Sequence, residues 1–373
     1  MLARKGLQGE LTFNSNLVEQ MYACFDCLAC NQVCPVGIRP ANLALAVRAI
    51  EEQERPVIWK KVVFEKFLSK SEKMDLATWP LRLYRQMGKL LTAQLGDMAA
   101  MLPPIPERTL HQNLPEVTPA DGESQYKAGF FLGCAQNLLF AEDSAATVRV
   151  LAANHCTITA PKEIVCCGMP ARGYGRHDLL MKHARHNIEI FERSDVEVII
   201  TDCATCGSTL KEYGKLLADD PEWAERSAEF SSKVKDISEF LVSIPLKKPK
   251  NQINARVTYH DPCHLNRGQG VMEQPRQLLQ MIDGLEFVEM ADSDWCCGSA
   301  GSQLITHYET SLKVLNRKMD NIEATGADYI ASGCPGCQMQ LNVGVQKRGL
   351  SAQVTHPIKL LDWAYGHRDK DHE

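Results

Sequence analysis

No run of apolar residues in this sequence approaches the roughly 18 that a membrane-spanning helix needs. Phe130-Phe131-Leu132 typifies its short apolar stretches, so no transmembrane segment is expected. The opening Met1-Leu-Ala-Arg-Lys-Gly runs into polar residues up to Glu10 and lacks the apolar core of a signal peptide. Nor is there a basic excess: 41 Lys and Arg stand against 46 Asp and Glu, a net charge of -5. Without a basic stripe, no nucleic-acid partner is expected. Neither Gly-x-Gly-x-x-Gly nor Gly-x-x-x-x-Gly-Lys-Ser/Thr occurs, so no nucleotide-binding signature is present. The glycines of Gly168-Met-Pro-Ala-Arg-Gly173 and Gly298-Ser-Ala-Gly301 belong to cysteine loops instead.

Cysteine is abundant, at 15 of 373 residues. With no export signal the expected location is the reducing cytoplasm, where thiols stay available to metals. The length implies two or three domains, and a 45% hydrophobic fraction supplies their cores. Fourteen of the cysteines fall into adjacent pairs, Cys-x-x-Cys steps and their matching partners, a pattern that indicates metal rather than scattered core thiols. The remaining one, Cys156, sits in an expected strand and reads as a buried structural thiol.

Residues 1–55 read as a helical domain built around Cys24-Phe-Asp-Cys27-Leu-Ala-Cys30-Asn-Gln-Val-Cys34-Pro35. This is the bacterial ferredoxin spacing. Three thiolates wrap one [4Fe-4S] cluster, while the fourth, before proline, ordinarily serves a second cluster. Zinc sites prefer two separated Cys-x-x-Cys pairs. Asn14-Ser15-Asn16 offers a cap for a helix over 17–22, and Pro40 opens a helix over 40–50. Residues 56–125 read as a helical segment and linker. Val62, Val63, Phe64 and Phe67 recur at helical spacing, as do Leu81, Tyr84, Met87 and Leu91, and Trp59 and Trp79 are expected to pack there. The polar stretch after Pro103-Pro104-Ile105-Pro106 reads as the linker.

From 126 onward strands alternate with helices, and cysteines occupy the loops after the strands. The second half repeats the first. Cys134 and Cys263 stand 129 residues apart, Cys166-Cys167 and Cys296-Cys297 130, and Cys203/Cys206 and Cys334/Cys337 131. Two α/β units are therefore expected, over 126–248 and 249–368, joined near Pro245-Leu-Lys-Lys-Pro-Lys-Asn251. Each brings five thiols from three loops: Cys134, Cys166, Cys167, Cys203 and Cys206 in the first, and Cys263, Cys296, Cys297, Cys334 and Cys337 in the second. Five soft ligands exceed the four of tetrahedral zinc and suit a multi-iron centre, though thiolate sets serve both metals. His260 and His264, beside Cys263, and Asp202 and Asp261 read as residues of the strand-end loops rather than proton carriers.

The chain resembles the iron–sulfur subunit family of bacterial glycolate oxidase, whose Cys-Cys-Gly units are similar to those of heterodisulfide reductase subunits. The resemblance rests on Gly133-Cys134-Ala-Gln-Asn137, Lys211-Glu-Tyr-Gly214, Asp261-Pro-Cys-His264 and Cys296-Cys-Gly-Ser-Ala-Gly301, together with the order of the segments. It implies an α/β protein: an N-terminal all-α ferredoxin-like region followed by two repeated cysteine-rich (CCG) domains. It further implies an electron-transfer role beside an FAD-containing dehydrogenase subunit, from glycolate or lactate to a quinone or another carrier, in the cytoplasm or peripherally at the inner membrane face. Non-cubane iron–sulfur clusters, or zinc, would occupy the CCG sites. The heterodisulfide reductase likeness implies an alternative, thiol–disulfide chemistry at a CCG-bound cluster, and a zinc-binding interaction protein is a third. The family carries two ferredoxin runs and this sequence one, so residues 1–23 read as the spacer between two such runs in a chain short at its N-terminus. Cys24, Cys27 and Cys30 would then lack their usual fourth ligand, and Cys34 the cluster it usually serves.

Overall fold

The computed structural model describes residues 15–67, 73, 76, 78–87, 93–100 and 102–367. Two open sheets organise it. The first runs β1 (Val117–Thr118), β3 (Cys156–Thr159), β2 (Tyr126–Phe130), β4 (Val198–Thr201), β5 (Val234–Asp236). The second runs β7 (Leu285–Phe287), β6 (Ala255–Tyr259), β8 (Tyr329–Ala331), β9 (Gln353–Thr355). All pairings are parallel except β1 with β3. The strands are short and apolar because helices cover both faces: β4 is buried at every position. In each sheet the first of the parallel strands, β2 or β6, lies between the two that follow it. The chain therefore reverses direction across the sheet at that strand, and the crevice beyond its carboxyl end is where such sheets hold ligands.

The α/β alternation read from the sequence is present, with helices at Ala141–Ala153 and His177–Glu192 where periodicity puts them. Three features differ. The stretch read as a linker contributes a short helix, Leu110–Asn113, and the antiparallel edge strand β1. The helical segment includes one π-helical turn, Val62–Phe67, of which Phe64 is buried against Ala171 and Leu179. Trp79, expected to pack, is 68% exposed, and Ile58 and Leu76 are 81% and 76% exposed: no described part of the chain covers this face. Asn14 and Leu91, and the side chains of Trp59 and Phe67, lie outside the description.

The two units interlock. The C-terminal helix Pro357–Tyr365 belongs by sequence to the second but packs on Ala141–Ala153 of the first. There Arg149 bridges Glu142 and buried Asp362, reaching the latter at 2.7 Å. The amide of Gln338 donates to Asp143 at 2.9 Å, and His356 Nε2 lies 3.0 Å from the carbonyl of Asp202.

The ferredoxin run is clamped against both units. Buried Arg48, on the helix Pro40–Glu54, donates to the carbonyls of Met21 (2.7 Å), Cys24 (2.7 Å) and, across to the first unit, Gly173 (2.9 Å). From the second unit Arg267 donates to the carbonyl of Cys27 at 3.2 Å and Gln303 to that of Tyr22 at 2.8 Å.

Two outcomes follow from these contacts. Arg48→Ala leaves buried carbonyls unpaired and should lower stability by about 2–5 kcal/mol. Arg48→Lys should recover only part of this, because an ammonium cannot reproduce the guanidinium fork; thermal unfolding compares them. Asp143 carries a carboxyl pushed up to about 6 by burial, from an ordinary 3.8. It is protonated in both folded and unfolded chains well below pH 4. Between pH 4 and 6 the unfolded chain ionises first and folding loses stability, a loss complete above pH 6 and on the order of 3 kcal/mol. Asp143→Asn should therefore be the more stable protein at pH 7.5 and lose that advantage below pH 4, measured by chemical denaturation at both values.

Candidate metal centre

Each CCG unit assembles its thiols at the carboxyl ends of its strands. Cys134 opens the helix Cys134–Leu139 after β2, and Cys203 caps the helix Ala204–Leu216 after β4, its sulfur 3.5 Å from the amide of Cys206. In the second unit Cys263 opens Cys263–Gln269 after β6, and Cys334 caps Pro335–Arg348 after β8. A helix N-terminus carries partial positive charge and favours thiolate there.

The adjacent pairs lie on the loops between. The glycine after each pair has φ +91° (Gly168) or +89° (Gly298), a conformation that side chains resist. A Cβ at Gly168 would stand 2.6 Å from Leu180 Cδ1, and one at Gly298 2.7 Å from the carbonyl of Ser311. The glycines thus let the chain turn directly over a helix, so that neighbouring cysteines can face one site.

The sulfurs then meet. Cys134 lies 3.7 Å from Cys166 in the first unit, and Cys297 3.3 Å from Cys337 in the second. Cys167 also interacts with Cys206, and Cys263 with Cys296. One thiol of the first set and two of the second are favoured anions. Cys167 is held far below the ordinary thiol range by Cys166 and then Cys206, and Cys297 by Cys296 and then Cys337. Their neighbours are driven the opposite way: Cys166 by Cys134 and Cys167, Cys206 by Cys167 and Cys203, Cys337 by Cys297 and Cys334. Cys334 is pulled down to about 6, principally by Cys337. Such a set shares protons because adjacent thiolates repel, and a bound cation would relieve the repulsion. Soft donors, at this density and burial, fit an iron–sulfur cluster or zinc.

The ferredoxin run is arranged otherwise. Asp26 and Leu28 adopt positive φ, 49° and 61°, which winds the loop tightly. Cys24, Cys27 and Cys34 are half-buried and Cys30 is exposed. The amide of Asp26 donates to Cys24 Sγ at 3.4 Å. Cys27 turns toward the second unit and hydrogen-bonds Cys296, which pushes its pKa up. Among the described residues, no three sulfurs of this run gather within 4.8 Å, and the same is true of the sulfurs within each CCG unit. Three ligand atoms that do are those of His260, Cys297 and Cys337, all buried.

The three thiol groups are contiguous. Cys27 touches Cys296, and the hydroxyl of Thr205, between Cys203 and Cys206, lies 3.5 Å from Cys334 Sγ. The amide of Ala204 donates to the carbonyl of Gly333 at 2.9 Å, so the two Cys-x-x-Cys helices begin against each other.

The remaining sequence candidates have structural partners. Asp202 accepts from Ser144 (2.5 Å) and Thr147 (3.1 Å), and Asp261 takes both arms of Arg276 at 2.9 and 2.7 Å. His264 lies between Ser208 Oγ (3.5 Å) and Asp26 (3.9 Å), joining the first unit to the ferredoxin loop. Cys156 is buried in β3 with its thiol pushed up to about 12 by burial. Sequence reading passed over Arg48, Arg267, Gln303 and Lys318. Lys318 is buried, donates to the carbonyls of Asp292 (2.5 Å) and Ser293 (3.1 Å), and is drawn down to about 8 by burial despite nearby Cys297.

The CCG cysteine-rich domain profile matches residues 128–211 and 257–342, one match per unit. The probable glycolate oxidase iron–sulfur subunit of Bacillus subtilis is 34% identical over 96% of this chain and 86% of its own length. Lactate utilization protein A of Shouchella clausii is 32% identical over 62% of this chain and 97% of its own. A fumarate reductase (CoM/CoB) subunit of Methanothermobacter marburgensis is 31% identical over 93% of this chain and 62% of its own. In fold, the crystal structure of a hypothetical protein from Helicobacter pylori superposes with a TM-score of 0.51 at 11% identity, covering 86% of this chain and 75% of that one. With its two repeated CCG units and its overall similarity to the Bacillus subtilis protein, the chain belongs to the glycolate oxidase iron–sulfur subunit family of cysteine-rich proteins.

Proposed function

We propose that this chain is the iron–sulfur electron-transfer subunit of a flavin-dependent 2-hydroxyacid dehydrogenase acting on glycolate or lactate. The observation that carries the reading is the contiguity of its three thiol groups, from the ferredoxin run through the second unit to the first. The names of the relatives, glycolate oxidase iron–sulfur subunit and lactate utilization protein, supply the substrate class. Cys24, Cys27, Cys30 and Cys34 would serve as [4Fe-4S] ligands, the first three on one cluster and Cys34 at the position that ordinarily serves a second, and the five cysteines of each unit would hold a cluster of their own. Such clusters supply one-electron carriers to match a flavin that takes up two electrons.

The chain's own residues fix where those centres stand. Arg48 and Arg267 hold the carbonyls of Cys24 and Cys27, and Arg149 with Asp362 locks one unit to the other. Relays depend on fixed separations, and these contacts provide them. The 2-hydroxyacid itself would bind the partner flavoprotein. The uncovered apolar side chains Ile58, Leu76 and Trp79 suit a face that such a partner buries, as do Val33 and Val36, 79% and 73% exposed on either side of Cys34.

A second reading, thiol–disulfide chemistry between the CCG sites, is favoured by the abutting of Thr205 and Cys334. The two readings separate by activity. The dehydrogenase reading expects turnover of glycolate or lactate with an artificial acceptor only when the flavoprotein is added. Reduction of a disulfide by reduced viologen, with no flavoprotein requirement, would support the second. Composition is tested independently. Anaerobically prepared protein should be brown and contain iron with acid-labile sulfide, whereas a colourless protein containing zinc alone would exclude both redox readings.

A further inference from the structure

We propose that His260 donates an imidazole nitrogen to the metal centre of the second unit, making that site mixed thiolate–imidazole while the first is thiolate only. The assignment rests on reading the second unit as a metal centre.

His260 follows β6 directly, and its amide donates to the carbonyl of Ala331 at 2.9 Å, fixing it between β6 and β8. Its ring is buried, and neither Nδ1 nor Nε2 makes a hydrogen bond. The Ser293 backbone lies beside the ring, outside good hydrogen-bond geometry. Burying polar nitrogens without partners is unfavourable, and native interiors rarely tolerate it. Here the unsatisfied ring stands beside thiols: one of its nitrogens, Cys297 Sγ and Cys337 Sγ lie mutually within 4.8 Å. Two sulfurs and one nitrogen converging on one buried point form the donor set of a borderline-soft metal, and imidazole is a ligand for both iron and zinc.

The first unit shows that the fold itself does not need the imidazole. The corresponding residue is Phe131, whose amide makes the same backbone bond, to Ile200, at 2.8 Å. Phe131 is fully buried and packs on the side of the first site as part of an apolar cluster containing Cys166, Cys203 and Cys206. The internal repeat thus holds the backbone constant and changes the side chain. At one site that side chain is a hydrocarbon. At the other it is a nitrogen donor without a well-formed hydrogen bond.

The experiment uses the full chain, prepared anaerobically with 15N-histidine. For iron, pulsed EPR of the reduced protein should show a histidine nitrogen coupled to a cluster. For zinc, X-ray absorption at its edge should show a nitrogen neighbour at about 2.0 Å. His260→Phe, the residue the first unit uses, should lose that signal and weaken metal binding roughly 10- to 100-fold. His260→Cys should lose the nitrogen signal while keeping the metal. Cys297→Ser serves as the control for occupancy, because it should lower metal content in the wild-type background. Metal present with no histidine nitrogen in the wild-type protein overturns the proposal and leaves the metal-centre reading intact. Metal content unaffected by Cys297→Ser overturns both.

Discussion

Thiolates that share a pocket repel one another, and most of this structure is organised around placing ten thiols where they must. Each unit draws its five from three loops, and the loops are held by strand ends and helix N-termini rather than by contacts among the sulfurs. The positive end of Pro335–Arg348 adds to the pull that lowers Cys334 at its cap, whereas at Cys203, the cap of Ala204–Leu216, burial and the neighbouring Cys334 outweigh it. Even so, the sulfurs of each set divide into strong acids, Cys167 in the first and Cys297 and Cys334 in the second, and weak ones such as Cys166 and Cys337. A protein that needed only packing would have no use for such a set, since each thiol could be replaced by a small apolar residue. A bound cation would turn the same repulsion into attraction, which is the physical basis of the proposed ligand role.

Duplication explains how two such sites came to face each other, and the connections explain why they stay there. The C-terminal helix of the second unit packs on the first, and the Arg149–Asp362 pair is set between them. The backbone bond from Ala204 to Gly333 joins the two cysteine loops directly. The ferredoxin run is then added as a third element, held through its own carbonyls by one arginine from its own helix and another from the second unit. The repeat is not symmetric in chemistry. Phe131 and Asn187 of the first unit correspond to His260 and Lys318 of the second. Asn187 donates to the hydroxyl of Tyr213 at 3.3 Å, whereas Lys318 carries its ammonium group close to Cys297. A nearby cation stabilises thiolate, so the two thiol sets differ in their electrostatic surroundings although their backbones repeat.

What the sequence shows plainly is local. The repeat was legible because cysteine spacing survives where other similarity fades, with offsets drifting only from 129 to 131. The alternation of strand and helix was legible because β4 and its neighbours are short apolar runs closed by loops. The ferredoxin spacing named its own motif. Contacts across long separations were not legible. Nothing around Arg48 distinguishes it from a surface arginine, because its acceptor in the first unit lies 125 residues away. The edge strand Val117–Thr118 is two residues long and takes its identity from pairing with β3. His260 and His264 look alike in sequence, four residues apart around one cysteine. Only folding separates them, giving His264 two polar partners and His260 two thiols.

Trp79 escapes the sequence for a related reason. Periodicity reports that a helix has an apolar face, but not what that face meets. On the helices of the α/β units the face meets a sheet. On Thr78–Met87 much of it meets solvent, with Trp79, Leu83 and Met87 all exposed. Exposed apolar surface on this scale weighs against solubility unless something covers it. The same holds for Val33 and Val36, which flank Cys34. The thiols of the CCG units are mostly buried, while those of the ferredoxin run are exposed or half-buried. Val33 and Val36 thus put exposed apolar surface beside the most accessible of the three thiol groups. An electron carrier needs one accessible end and a protected interior, and that is how the thiols of this chain are distributed.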